Sequence, residues 1–263
     1  MASCPQPMLF DFILLPLHDL ELGGTGDKRF LSWFRLTEGQ YWIQAGQHAL
    51  LEYSPSARSF PKYCDYPVAR LYEDVMEIFP YVIEPLPAAF APHIQCANGS
   101  EWYATRQSLL EHTPDSMDVD RYCKLSSDCL NWWDYRRLDT GYLSPSAGIR
   151  MWSDESAAHI EWDNREKLFA GVPAWTATLG SYHLPRAEFI REVRSFHDRL
   201  MEQMGERVPQ VLKGAPPEVA IDLCQQHQQR RAPIDRLLAG PATRTDWEQV
   251  SKAIGRVESG EFL

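Results

Sequence analysis

Phe10, Phe12 and Leu14 alternate with Asp11 and Ile13 near the start of the chain, a period of two that predicts a mostly buried strand ended by Pro16. Three β-rich runs follow at residues 30–36, 40–45 and 48–53, separated by Thr37-Glu38-Gly39 and Gly46-Gln47. Glycine-bearing separators of that length suit hairpin turns and predict an antiparallel meander. Residues 54–64 read as a loop. Asp65 is then placed to cap a helix with Pro67 in its first turn, and Val68, Leu71, Tyr72, Val75, Ile78 and Phe79 give it one apolar face. Pro80, Pro85 and Pro87 predict a break after it.

The middle of the chain reads as two helices, about 100–112 and 119–138. Between them Glu111, Asp115, Asp118 and Asp120 fall in a stretch without Lys or Arg and predict a solvated acidic loop. Adjacent Trp132 and Trp133 point about a hundred degrees apart on a helix, so only one can face the core centre. The other needs a neighbouring element or a partner. A second meander comes next, with residues 149–152 paired to 159–163 across an acidic turn at 153–157, and a third strand over 175–184. From Arg186, the residues Phe189, Ile190, Val193, Phe196, Leu200, Met201 and Met204 trace a long apolar stripe. After Pro209 the texture changes: Pro216-Pro217-Glu218 opens a short helix, and Thr245 with Glu248 has capping-box spacing for another. The pattern predicts an α+β fold of antiparallel β-meanders packed against amphipathic helices. Its repeated order of meander then helix fits a βββα duplication. The expected organisation is an α+β domain over 1–208, with halves 1–98 and 99–208, and a helical C-terminal extension over 209–263.

Charge narrows the partner. Lys and Arg total 26 against 36 Asp and Glu, and the net charge of −10 argues against nucleic acid and for a cationic protein. The apolar run over 8–15 is too short to span a bilayer, carries Asp11 and follows no cationic segment, so no membrane association and a cytoplasmic location are expected. Six scattered cysteines read as reduced structural thiols. Gly23, Gly24 and Gly26 lack dinucleotide-fingerprint spacing and read as a turn rather than a phosphate cradle. None of the eight histidines belongs to a metal-binding pattern, and neither a nucleophile elbow nor a Walker loop is present. No metal and no cofactor are expected.

The paired carboxylates are the strongest chemical feature. Glu161 and Asp163, two apart on a predicted strand, share one face while Ile160 and Trp162 take the other. Such a pair performs acid–base work if its environment separates the two pKa values. A solvated face opposite a buried one is the plainer reading. Asp154 and Glu155 extend the same acidic stretch and could steer a basic partner. Nine tryptophans suit cores, interface anchors or stacking against sugar rings.

Several stretches resemble a bacterial family known only as a domain of unknown function. They are Leu31-Ser32-Trp33-Phe34-Arg35-Leu36-Thr37-Glu38-Gly39-Gln40-Tyr41-Trp42-Ile43, Asp65-Tyr66-Pro67-Val68-Ala69-Arg70-Leu71-Tyr72-Glu73-Asp74, and Trp133 with Arg137, Asp139 and Tyr142. Further on are Ile160-Glu161-Trp162-Asp163-Asn164-Arg165, Gly171-Val172-Pro173-Ala174-Trp175-Thr176-Ala177, and the helix bearing Phe189 and Phe196. The likeness covers roughly 8–208, and the stretch after Pro209 reads as peculiar to this chain. The resemblance transfers no catalytic signature. It implies a small bacterial cytosolic protein of the type suspected of acting beside toxin or interbacterial-competition systems. The leading expectation is therefore a non-enzymatic immunity protein that occludes a secreted toxin domain through an acidic aromatic surface formed by Asp154, Glu155, Glu161, Asp163, Trp133 and Asp139. The alternatives are an enzyme using Glu161 and Asp163, and a carbohydrate or small-ligand module marked by exposed tryptophans.

Overall fold

Alternation in the first strand is realised as expected: Phe10, Phe12 and Leu14 turn inward along β1 (Phe10–Leu14), which runs antiparallel to β2 (Gly39–Ala45). The computed structural model describes residues 8–20, 32–57, 60–95, 98–112, 118–213, 217–231, 233–238 and 243–261. The Gly23–Gly26 turn lies outside them. On the other edge of β2 sit β3 (His48–Leu50) and β4 (Cys64–Asp65). The strand expected over 30–36 is not formed where the chain is described. Residues Arg35–Thr37 make a 3-10 turn instead, because Trp33 and Leu36 are both fully buried and a spacing of three puts them on one side of a helical turn. The run 48–53 is also shorter than expected: Leu51 adopts a left-handed φ of 67°, which ends the ladder, and Glu52 and Tyr53 make only isolated bridges to Tyr63 and Trp175.

Helix α1 (Val68–Val82) carries the predicted apolar face, with two corrections at its ends. Asp65 does not cap it, since Asp65 lies in β4 opposite Gln40. Pro80 sits inside its last turn and does not terminate it. Next, α2 (Ala91–Ile94), α3 (Gly99–Glu111) and α4 (Val119–Asp134) build a helical layer. Asp118, expected in a solvated loop, accepts from the Asp120 and Arg121 amides and caps α4.

The second meander has the expected register. β5 (Ile149–Ser153) pairs with β6 (Ala157–Asp163), Ile149 opposite Trp162, and β6 pairs with β9 (Leu179–Pro185), His159 opposite His183. The third strand begins at Leu179, not at Trp175. A small hairpin precedes it, β7 (Leu168–Phe169) and β8 (Val172–Pro173), turned by Ala170 and Gly171 at φ 49° and 81°. Gly180 in β9 admits no side chain, because a Cβ there would lie 2.4 Å from the Trp162 ring. Helix α5 (Arg186–Leu212) follows directly and continues through Pro209. It packs with α1 against both sheets, and Phe10 stacks on Phe196 at 5.5 Å.

Two hydrophobic cores result. The first joins both sheets, α1 and α5, and also takes in Leu223 of α6 (Pro217–Arg231) and Ile234 of α7 (Pro233–Leu238). The second gathers Phe90, Trp102, Trp132, Trp133 and Trp152 with Val250 and Val257 of α8 (Trp247–Ser259). Asp246, not Thr245, caps α8 by accepting from the Gln249 amide; Thr245 donates to Glu84 instead. All nine tryptophans have protein partners: seven are buried, Trp42 stacks on Tyr63 at 4.1 Å, and half-buried Trp247 packs on Phe90 and Trp132. None of the nine is exposed. Among those residues no helix is long and apolar enough to cross a membrane, and Cys64, Cys123, Cys129 and Cys224 are free thiols.

A buried ion pair joins the two cores: the Arg136 guanidinium donates to Glu84 at 3.1 Å, with side chains 0% and 2% exposed. Arg136→Met leaves the Glu84 carboxylate buried without its countercharge and is expected to cost about 3–5 kcal/mol. Urea unfolding checks this, and adding Glu84→Gln should recover part of the loss. A loss below about 1 kcal/mol would contradict the role given to the pair.

Candidate functional site

Alternation along β5, β6 and β9 divides one sheet between two environments. Ile149, Met151, Ile160 and Trp162 face the first core. Arg150, Trp152, His159, Glu161, Ser181 and His183 face the other way and form two cross-strand rows, Trp152–His159–His183 and Arg150–Glu161–Ser181. In the first row the Trp152 ring stacks on His159 with centroids 4.0 Å apart, and the His159 and His183 centroids are 6.1 Å apart. Trp152 also donates its indole N–H to Glu161 at 3.2 Å.

The β5 side of this face is roofed by helices. Arg150 donates to Ser100 of α3 at 3.1 Å, and its guanidinium lies over the Trp133 ring of α4. The β6–β9 side is open. A groove of about 600 Å³ runs along it, lined by Trp152, His159, Glu161, Arg165, Ser181 and His183.

The carboxylates expected to dock a partner are committed to different tasks. Asp154 closes the β5–β6 turn, accepting from the Ser156 and Ala157 amides at 2.8 Å each, while its other oxygen lies 2.9 Å from His159 Nε2. The Ala157 amide, then His159 and Ser156, hold the Asp154 carboxyl well below the usual range. Asp163 accepts from Arg165 Nε and Nη2, at 2.9 and 2.7 Å, which lowers its pKa. Glu161 and Asp163 stand two apart on β6 and share a face, yet Glu161 is buried at 6% exposure, so that face is not uniformly solvated. Glu155 at the turn is exposed.

Trp133 and Asp139 do not join this surface as free groups. Trp133 is buried beneath Arg150 and against Tyr103, and it donates to the His93 carbonyl. Neither tryptophan of the adjacent pair is left for a partner, since Trp132 occupies the second core. Asp139 pairs with Arg70, which also faces buried Asp74. Burial pushes the Asp74 carboxyl up to about 7 against the opposing pull of Arg70. Asp74, Asp139 and Asp134 line a separate cavity of about 260 Å³.

His159 was within reach of sequence reasoning, because it stands two residues before Glu161 and shares its face. Ser181 and His183 were not, since their placement depends on the β6–β9 register. Among the described residues no group of three His, Cys, Asp or Glu is placed to hold a metal ion.

Residues 9–253 match a family described as a family of unknown function (DUF5984). The chain belongs to this family. The match includes 209–253, so most of the stretch expected to be peculiar to this chain lies within the DUF5984 span. No curated protein and no solved structure matches the chain.

Among the groups of this DUF5984 member, Asp154 gives a pH test. A carboxyl whose folded pKa is depressed stabilises the fold above its unfolded pKa of about 4 and loses that contribution as pH falls through the folded value. Asp154→Ala should therefore lower the urea midpoint at pH 7, with the gap to the unmodified protein narrowing below about pH 4. A gap that stays constant down to about pH 2 would contradict this account.

Proposed function

We propose that the chain is a non-enzymatic binding protein, an immunity protein that docks a cationic bacterial toxin domain and occludes it, acting in the cytoplasm. The open β6–β9 half of the sheet face is the proposed contact. One observation carries the reading: the groove is preformed while the carboxylates beside it are held in fixed hydrogen bonds. Glu161 accepts from Trp152, Asp163 from Arg165, and Asp154 from its own turn. Groups so engaged hold the groove in one shape, which suits recognition of a complementary surface. A preformed surface lowers the ordering cost of association.

The overall charge of −10 supports a basic partner through long-range steering. The acidic surface read from sequence needs redrawing for this purpose. Asp154, Glu161 and Asp163 hold the site in shape, whereas Glu155, Leu179 and His183 are the exposed positions around it that a partner can touch. Reversing the three structural carboxylates would confuse misfolding with lost binding.

The informative variant is therefore Glu155→Arg, Leu179→Arg and His183→Arg together, at exposed positions whose replacement adds repulsion toward a cationic partner. The unmodified protein should capture a basic secreted protein from bacterial cells and inhibit its purified toxic domain. The triple variant should keep its thermal midpoint and lose both capture and inhibition. Equal capture and inhibition by the two proteins would overturn the proposed surface.

A further inference from the structure

Register determines which peptide groups of β9 remain outside the sheet. The Asn164 amide donates to the Thr178 carbonyl at 2.6 Å and the Arg186 amide to the Ser156 carbonyl at 3.2 Å, bracketing the β6–β9 ladder. In antiparallel pairing, bonded and non-bonded pairs alternate. Gly180, Tyr182 and Leu184 therefore bond to β6, while Leu179, Ser181 and His183 direct their N–H and C=O groups away from it. Among the described residues, no hydrogen bond reaches those three outward N–H groups. The side chains along this edge include no Lys, Arg, Asp or Glu, and proline appears only at its end, Pro185. Edges that proteins protect against pairing usually carry such residues within them.

Two cavities flank this edge, and Tyr182 lines both. One is the groove described above. The other, of about 200 Å³, lies on the opposite face and is lined by Gln44, Tyr182, Glu188 and Glu192, with no Lys or Arg in its wall. Glu192 accepts from the Leu9 amide at 2.7 Å, which fixes its carboxylate there. A strand laid beside β9 would send alternate side chains into the two cavities.

Resting on the binding role proposed above, we infer that β9 is a strand acceptor. An extended segment of the partner protein adds to its free edge and places Lys or Arg side chains, at alternate positions, in the Glu188–Glu192 cavity. Backbone hydrogen bonds to residues 179, 181 and 183 supply sequence-independent affinity, and the acidic cavity selects for charge. A second copy of this chain fits the edge less well. The β9 strand of a second copy carries no Lys or Arg to place in the acidic cavity.

The test uses a capped peptide of about eight residues, the length of an ordinary strand, alternating Thr and Lys. Four comparisons accompany it: alternating Thr and Glu, the Thr–Lys peptide with alternate backbone nitrogens methylated, and, in the protein, Ser181→Pro and the double change Glu188→Gln with Glu192→Gln. Proline at position 181 removes an outward N–H and no bond to β6. Fluorescence anisotropy should show the Thr–Lys peptide binding and the Thr–Glu peptide not. Ser181→Pro and N-methylation should each weaken binding roughly tenfold or more. Glu188→Gln with Glu192→Gln should erase the preference for Lys. Should Ser181→Pro fail to fold, the methylated peptide probes the same bonds from the ligand side.

Equal affinity for the plain and methylated peptides would overturn strand addition, as would absence of Thr–Lys binding by folded protein. Light scattering that finds a dimer abolished by Ser181→Pro would also overturn it, in favour of self-pairing. These failures are separable from failure of the binding role itself. Strand addition fails alone if Ser181→Pro still captures the partner that the triple arginine variant loses; both fail if neither change alters capture.

Discussion

The Glu84–Arg136 pair is the constraint on which the arrangement of the two cores depends. Glu84 follows α1, and its carboxylate accepts from Arg136, from the Arg244 and Thr245 amides and from the Thr245 hydroxyl. Arg136 also donates to the Trp132 carbonyl, lies against the Trp247 ring and offers its own carbonyl to the Met151 amide. One buried junction therefore fixes the end of α1, the end of α4, the middle of β5 and the approach to α8. Burial lowers the Arg136 pKa to about 10, and Glu84 opposes that shift, so the guanidinium stays charged at neutral pH. The desolvation cost is tolerable because the Glu84 carboxylate has several donors beyond its countercharge.

That junction explains why the β5–β6–β9 sheet serves two cores. Ser153 at the end of β5 donates to the Val82 carbonyl, and the Leu86 amide donates to Ser153, holding β5 against the end of α1. With β5 held there, Trp152 enters the helical core and Arg150 is covered by α3 and α4. The helices cover β5 and leave β9 open. The groove is thus the uncovered remainder of a face whose other half is structural, which is why its carboxylates are already bonded.

Local pattern was legible wherever one residue and its near neighbours decide the outcome. The alternation of Phe10, Phe12 and Leu14, the apolar face of α1, the stripe of α5 and the pairing of Ile149 with Trp162 all follow from period and turn length. Misreadings occurred where a distant partner decides. Trp33 and Leu36 form a turn because the core takes both, against the β-propensity of their run. Asp65 is claimed by Gln40 across a ladder, and Thr245 by Glu84, more than a hundred positions away. In the site, the shared face of Glu161 and Asp163 was legible, but the contact of Glu161 with Trp152 depends on the β5–β6 register.

The same distinction alters what the net charge means for recognition. A negative stretch in sequence counts formal charges, whereas a partner meets only those that local donors leave uncompensated. Asp154 faces turn amides and His159, Asp163 faces Arg165, and Asp139 faces Arg70, so the field of each is partly cancelled at its source. Glu188 and Glu192 share a cavity with no Lys or Arg in its wall and together raise the Tyr182 pKa after burial has done so, although Arg191 lies 4.0 Å from Glu188 and the Leu9 amide donates to Glu192. On the proposed binding role, the acidic feature that meets a basic segment is the Glu188–Glu192 cavity at the start of α5, beside the outer edge of β9, and the carboxylates of β6 contribute shape.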